Sequence, residues 1–268
     1  MTDTLLDCGK SESELLALPL KTGSHTGKFD GECCLVEKAN RIATCVPAFR
    51  ERYGAAESFN DDHPSISRVC RAMAIGLNDM KWASDDERTA ALDRFAIALL
   101  GTATTPEDEE TRAWMATDWL VRVYAPAWLR LANLTDEALA LESLARISDA
   151  TLARAAQPTL STARHNATAA WAAAGAAAGA AAGAAAWAAA WAAAGDAARA
   201  AARAAAGDAA GAAARAAAGD AAGAAAGAAA WAAAGDAAGA ALAPTTATLR
   251  VSAIEVLDAM IAVGRVAQ

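Results

Sequence analysis

A strict four-residue period runs through the second half of this chain and limits what it can fold into. From Trp171 to Gly239 every fourth position is Trp, Gly or Arg, and every residue between is Ala except Asp196, Asp208, Asp220 and Asp236. Ala has the highest helix propensity, so the tract reads as helix. Four residues advance an α-helix by about 400°, so the Trp/Gly/Arg stripe drifts by about 40° per repeat and winds around the axis. That period is too far from 3.5 to sustain one long coiled-coil seam. The expectation is a few medium-length helices packed through Ala and Gly faces. They would break at some of the pairs Gly195/Asp196, Gly207/Asp208, Gly219/Asp220 and Gly235/Asp236, with Gly ending one helix and Asp capping the next. Near-identical tetrads with no Lys after Lys81 also fit expansion by slippage in GC-rich DNA, which would make the tract a spacer or packing element.

The two halves differ in charge. The formal net charge is -8, and it lies wholly before residue 161, because the six Arg beyond that point are matched by five Asp and one Glu. A pI near 4.9 without a Lys/Arg cluster argues against nucleic-acid binding, which needs several cations together to displace counterions. The scattered acids read as solvated helix faces. The start MTDTLLDCGK has no basic n-region and no apolar h-region, so a secretory signal is not expected. Cys8, Cys33, Cys34, Cys45 and Cys70 form an odd set without CxxC pairs and read as reduced thiols of a cytoplasmic protein. Residues 167–194 carry no charge and include the small-residue spacing of Gly175, Gly179 and Gly183. They lack Leu, Ile, Val and Phe, so a membrane span is not expected.

Before the repeat no stretch shows period-two alternation, and the expected fold class is all-α. Residues 1 to about 30 read as irregular, with a short helical turn at Ser13 to Leu18. A helix begins near Glu32 and is ended or restarted at Pro47. Ser65 or Ser67 caps a helix with Val69, Met73, Ile75 and Leu77 on its apolar side. Ser84 and Glu87 form a capping box for a helix that buries Leu92, Phe95, Ile97, Leu99 and Leu100 and closes at Gly101. Pro106 and the acids of EDEE start a helix carrying Trp114, Met115, Trp119, Leu120, Val123 and Trp128, which Pro126 should kink or divide. Thr135 and Asp136 open another helix, and Ser148 or Asp149 a further short one. After the repeat, Pro244 and Thr245 break the chain before a last amphipathic helix with Leu249, Ile254, Leu257 and Ile261. This gives four segments: an N-terminal helical domain (1–134), a helical connector (135–166), the repeat helices (167–243) and a C-terminal docking helix (244–268).

One polar constellation is a candidate for chemistry. His25, Cys34, Glu37 and His63 are ligand types that suit zinc, and Cys34 and Glu37, three apart, share a helix face. Their spacing matches no closed zinc motif, and capping the following helix is the plainer role for Asp62 and His63. Cys34 with His25 as nucleophile and base lacks a Gly-rich elbow, a triad partner or an oxyanion motif, which disfavours an enzyme. Asp118 is four residues from Arg122, the spacing of a helical ion pair. In the repeat, Trp171, Trp187, Trp191 and Trp231 are candidate anchors for another protein, since Trp on small-residue helices supplies large apolar contacts. Self-association of the Gly-spaced helices is the alternative.

The segments GECCLVE, NDDHP and GLND, and above all RAWMATDWLVRVYAPAWLRLA, resemble an uncharacterised family of proteins from actinobacteria and their phages. Residues 117–132 carry the most specific part, and the likeness continues through ALESLARISD to the closing TLRVSAIEVLDAM. The Ala-rich half is similar to an alanine-rich, immunity-protein-like domain of bacterial toxin systems. The chain departs from the family at Ile66, where a Cys is expected, and in a longer spacing between Cys34 and His63. The resemblance implies a cytoplasmic phage or actinobacterial protein with an immunity-like or host-interaction role.

Overall fold

The computed structural model describes residues 10–23, 33–131, 133–167, 169, 240 and 242–265. Among these residues there is no β-strand, only an isolated parallel bridge between Leu20 and Cys33, so the all-α expectation holds. The chain divides into two units, Met1–Ser161 with Thr245–Gln268, and Thr162–Pro244. In order, the first unit contains α1 (Glu12–Leu16), α2 (Leu35–Cys45), α3 (Pro47–Tyr53), α4 (Arg68–Asp79), α5 (Asp85–Leu92) and α6 (Phe95–Ala98). It continues with α7 (Pro106–Trp119), a π-turn (Leu120–Tyr124), α8 (Ala125–Leu131) and α9 (Thr135–Glu142). Two further helical runs are α10 (150–167) and α11 (242–262). The four-residue repeat and its Gly-Asp pairs lie outside the described residues.

Short polar side chains set where most of these helices start. Ser11 and Glu14 form a reciprocal capping box on α1, and Thr105 and Asp108 form another on α7, where Pro106 takes the first position. Ser67 caps α4, accepting from the Cys70 N–H at 3.1 Å. Ser84 caps α5, but Glu87 reaches past it to accept from the Ala83 N–H at 2.7 Å, so only half of the expected box forms. Asp149 accepts from Thr151 and Leu152 N–H groups at 2.7 and 2.9 Å and starts α10. Pro47 forces the preceding Val46 into an extended conformation, so α2 ends and α3 begins at one residue.

Several elements differ from the sequence expectation. The helix expected from Ser84 to Gly101 is interrupted at Asp93 and Arg94, where hydrogen bonding tightens to Ala96 N–H on the Asp93 carbonyl at 3.0 Å. The Asp93 carboxylate there faces the Lys38 ammonium, and Ile97, expected in the core, is 41% exposed. Pro126 does not sit at a sharp break. Its ring would press on the carbonyl four residues back, and the wider Leu120–Tyr124 turn just before it relieves that conflict. Helix α10 is long, not short. Pro244 falls within the helical run 242–262 instead of before it.

The core is built around α2, whose residues from Leu35 to Thr44 are all buried. Leu249, Ala253, Leu257, Met260 and Ile261 recur at helical spacing along α11 and join the same core as Leu35, Leu77, Leu92, Phe95 and Trp119. The C-terminal helix therefore docks on the N-terminal part of the chain. Of the four cations buried among the described residues, Lys38, Arg41, Arg88 and Arg112, three tie helices together. Lys38 Nζ donates to the carbonyls of Leu16 and Leu18, each at 2.7 Å, and to Asp93. Arg88 Nε donates to the Asn78 carbonyl at 2.9 Å, while its Nη1 bonds Asp85 and, at 3.4 Å, the Leu20 carbonyl. Arg112 donates from Nε to the Met260 carbonyl at 3.0 Å and from Nη2 to the Val263 carbonyl at 2.7 Å, and its Nη1 pairs with Glu109 at 3.3 Å.

Replacing Arg112 by Ala should cost about 3–5 kcal/mol, because it leaves two carbonyls and part of a carboxylate without their donor in a dry site. Urea unfolding measures this, and a change under about 1 kcal/mol would show that the carbonyls find other partners. Gly101 has φ +76°, and a Cβ there would lie 2.8 Å from Tyr53 Cε1. Gly101→Ala should destabilise by more than about 1 kcal/mol, and adding Tyr53→Ala should return only the steric part, leaving the backbone strain.

Candidate functional site

The sequence candidates converge only in part. Cys34 is the N-cap of α2: its Sγ lies 3.5 Å from the Glu37 N–H, and Glu37 Oε2 accepts from the Cys34 N–H at 2.8 Å. The two residues share a helix face as expected, but their polar atoms face backbone in a capping box in which a thiol stands where Ser or Thr is usual. Burial pushes the Cys34 thiol up to about 12 and the neighbouring Cys33 thiol up to about 11, and the Cys70 thiol is raised for the same reason. A thiol held this way is protonated at neutral pH, and the thiolate is the form that attacks or binds metal.

His63 is buried in the turn between α3 and α4. Its Nδ1 accepts from the Ser65 N–H at 3.2 Å with Ser65 Oγ at 2.8 Å, which leaves Nε2 as the donor to the Gly54 carbonyl at 3.2 Å. Asp62 pairs with Arg71 of α4 at 2.5 Å, and the cap of α4 falls to Ser67. The whole turn is pinned to α2 by Asn40, whose Nδ2 donates to the carbonyls of Ser58, Asn60 and Asp62 at 2.9, 2.9 and 3.2 Å. His25 lies outside the described residues. Among the described residues no three or more His, Cys, Asp or Glu side chains are grouped to hold a metal ion.

Cys33, Cys34 and Cys70 are free and buried, whereas Cys45 is disulfide-bonded, so the expectation of five reduced thiols is corrected. Cys45 is the one described cysteine that is not buried, at the C-terminal end of α2. Cys8 lies outside the described residues.

The block around the π-turn is the other place where the sequence pointed. Asp118 pairs with Arg122 at 3.3 Å as the spacing indicates, and it also accepts from the Ile147 N–H at 2.8 Å, fixing the segment that follows α9. Trp119, Tyr124 and Trp128 form a ladder with ring centroids 5.3 and 5.9 Å apart, and Trp119 Nε1 donates to Ser252 Oγ of α11 at 3.0 Å. Trp119, Tyr124 and Trp128 therefore serve packing. The block's apolar residues on the other side do not: Leu120 is 48% and Val123 41% exposed, and Leu139, on the adjoining α9, is 51% exposed. Leu120 and Val123 were visible in the sequence as apolar positions, but their outward direction depends on the π-turn and was not. Trp171, Trp187, Trp191 and Trp231 lie outside the described residues. No helix among the described residues is long and apolar enough to cross a membrane.

Comparison with known protein families, curated proteins and solved structures finds no match to this chain.

Burial holds the His63 imidazole below its ordinary value near 6.5, with the Gly54 contact and Asp62 opposing. The unfolded chain therefore takes up this proton first as the solution is acidified. The His63 contribution to stability should be complete above pH 6.5 and lost as the pH falls below that value towards the lowered native one. Urea unfolding at pH 7.5 and about 5.5 checks it: the wild type should lose more stability over that step than His63→Gln, and equal losses would refute it. Asp118→Ala should lower the melting temperature by several degrees, since it strips the partner from a part-buried N–H as well as from Arg122, at about 1–3 kcal/mol.

Proposed function

We propose that this protein acts without catalysis, by binding another protein. The observation that carries the reading is the exposure of three large aliphatic side chains, Leu120, Val123 and Leu139, beside the packed Trp119–Tyr124–Trp128 ladder. Exposed aliphatic side chains on neighbouring elements are surface that a protein partner can cover. Cys34 of the candidate constellation and its neighbour Cys33 are protonated and buried, and both nitrogens of His63 are engaged, which supports a non-enzymatic role. The repeat Trp residues belong to the same reading as further anchors, and the resemblance of residues 117–132 to a phage and actinobacterial family fits an immunity-like or host-interaction role for that contact.

The test is a comparison of surfaces. Wild type, a Leu120→Glu/Leu139→Glu variant and a Trp187→Ala/Trp191→Ala variant, each shown folded by circular dichroism, are cross-linked in actinobacterial lysate and analysed by mass spectrometry. A defined protein recovered by the wild type and lost by at least one variant is expected. Identical recovery by all three forms would overturn the reading. Light scattering on the same samples separates a foreign partner from self-association.

A further inference from the structure

We draw no further inference here: the strongest candidate, the exposed apolar face formed by Leu120 and Val123 of the π-turn and Leu139 of α9, already belongs to the proposed contact, and nothing in the structure shows what covers it.

Discussion

Buried cations on the carbonyl ends of helices hold the first unit together. A helix leaves its last four carbonyls without intrahelical partners, and a unit in which α1 to α9 are only 4 to 14 residues long has many such ends for its size. Lys38, Arg88 and Arg112 each reach from one helix to the C-terminal end of another, where the dipole favours positive charge. Arg50 does the same for α2, donating to the Thr44 carbonyl at 2.6 Å, and Arg265 for the end of α6, donating to the Ala98 and Leu100 carbonyls. Removing a cation from water is costly, and only dense pairing offsets it. Lys38 meets that condition with three acceptors for its three protons, and Arg112 with four bonds across three segments.

The same logic runs at the opposite ends. Glu109, in the first turn of α7, accepts from Ser67 Oγ at 2.6 Å and from the Val69 N–H at 3.0 Å, so it caps α4 while pairing with Arg112. The hydrogen bonds hold its carboxyl below the usual range despite burial. One Glu–Arg pair thus joins the start of α4 to the end of α11. Cys34 and Glu37 belong to this scheme too. Side chains that look like chemistry in a linear reading are occupied in closing helix ends, because a core of short helices has a large demand for donors and acceptors and draws on whichever polar residues are at hand.

That division explains what could be read from the chain alone. Caps at Ser67 and Ser84, the start at Pro106, the restart at Pro47 and the turn at Gly101 were legible because each depends on residues within three or four positions. The Asp118–Arg122 pair was legible for the same reason. The staples were not: Arg112 and Met260 are 148 positions apart, and no local pattern marks an Arg as one that will be buried. Nor was the break at Asp93, which lies beside Lys38 in space but 55 positions away in sequence. At the candidate site the shared face of Cys34 and Glu37 was legible from their spacing, and the backbone groups they meet were not. Cys34 and Glu37 do share a face, yet the orphan N–H groups of α2 take the place of a metal as their partners.

The position of α11 changes what the repeat has to do. Leu249, Leu257 and Met260 complete a core begun by Leu15 and Leu35, so the first unit closes only after the chain has passed through the tract. The entropic cost of closing a segment grows with the logarithm of its length, and doubling it adds only about 0.6 kcal/mol. The closing contacts outweigh that increment: α11 brings five buried apolar side chains, the Arg112 bonds and the Arg94–Asp258 pair at 2.5 Å. Tetrads can therefore be gained or lost between residues 162 and 244 with little effect on the stability of the unit that brackets them. A long, nearly uniform repeat is what such an insertion site tolerates. Its period then constrains the tract itself, and the fold of the first unit is decided by the residues on either side.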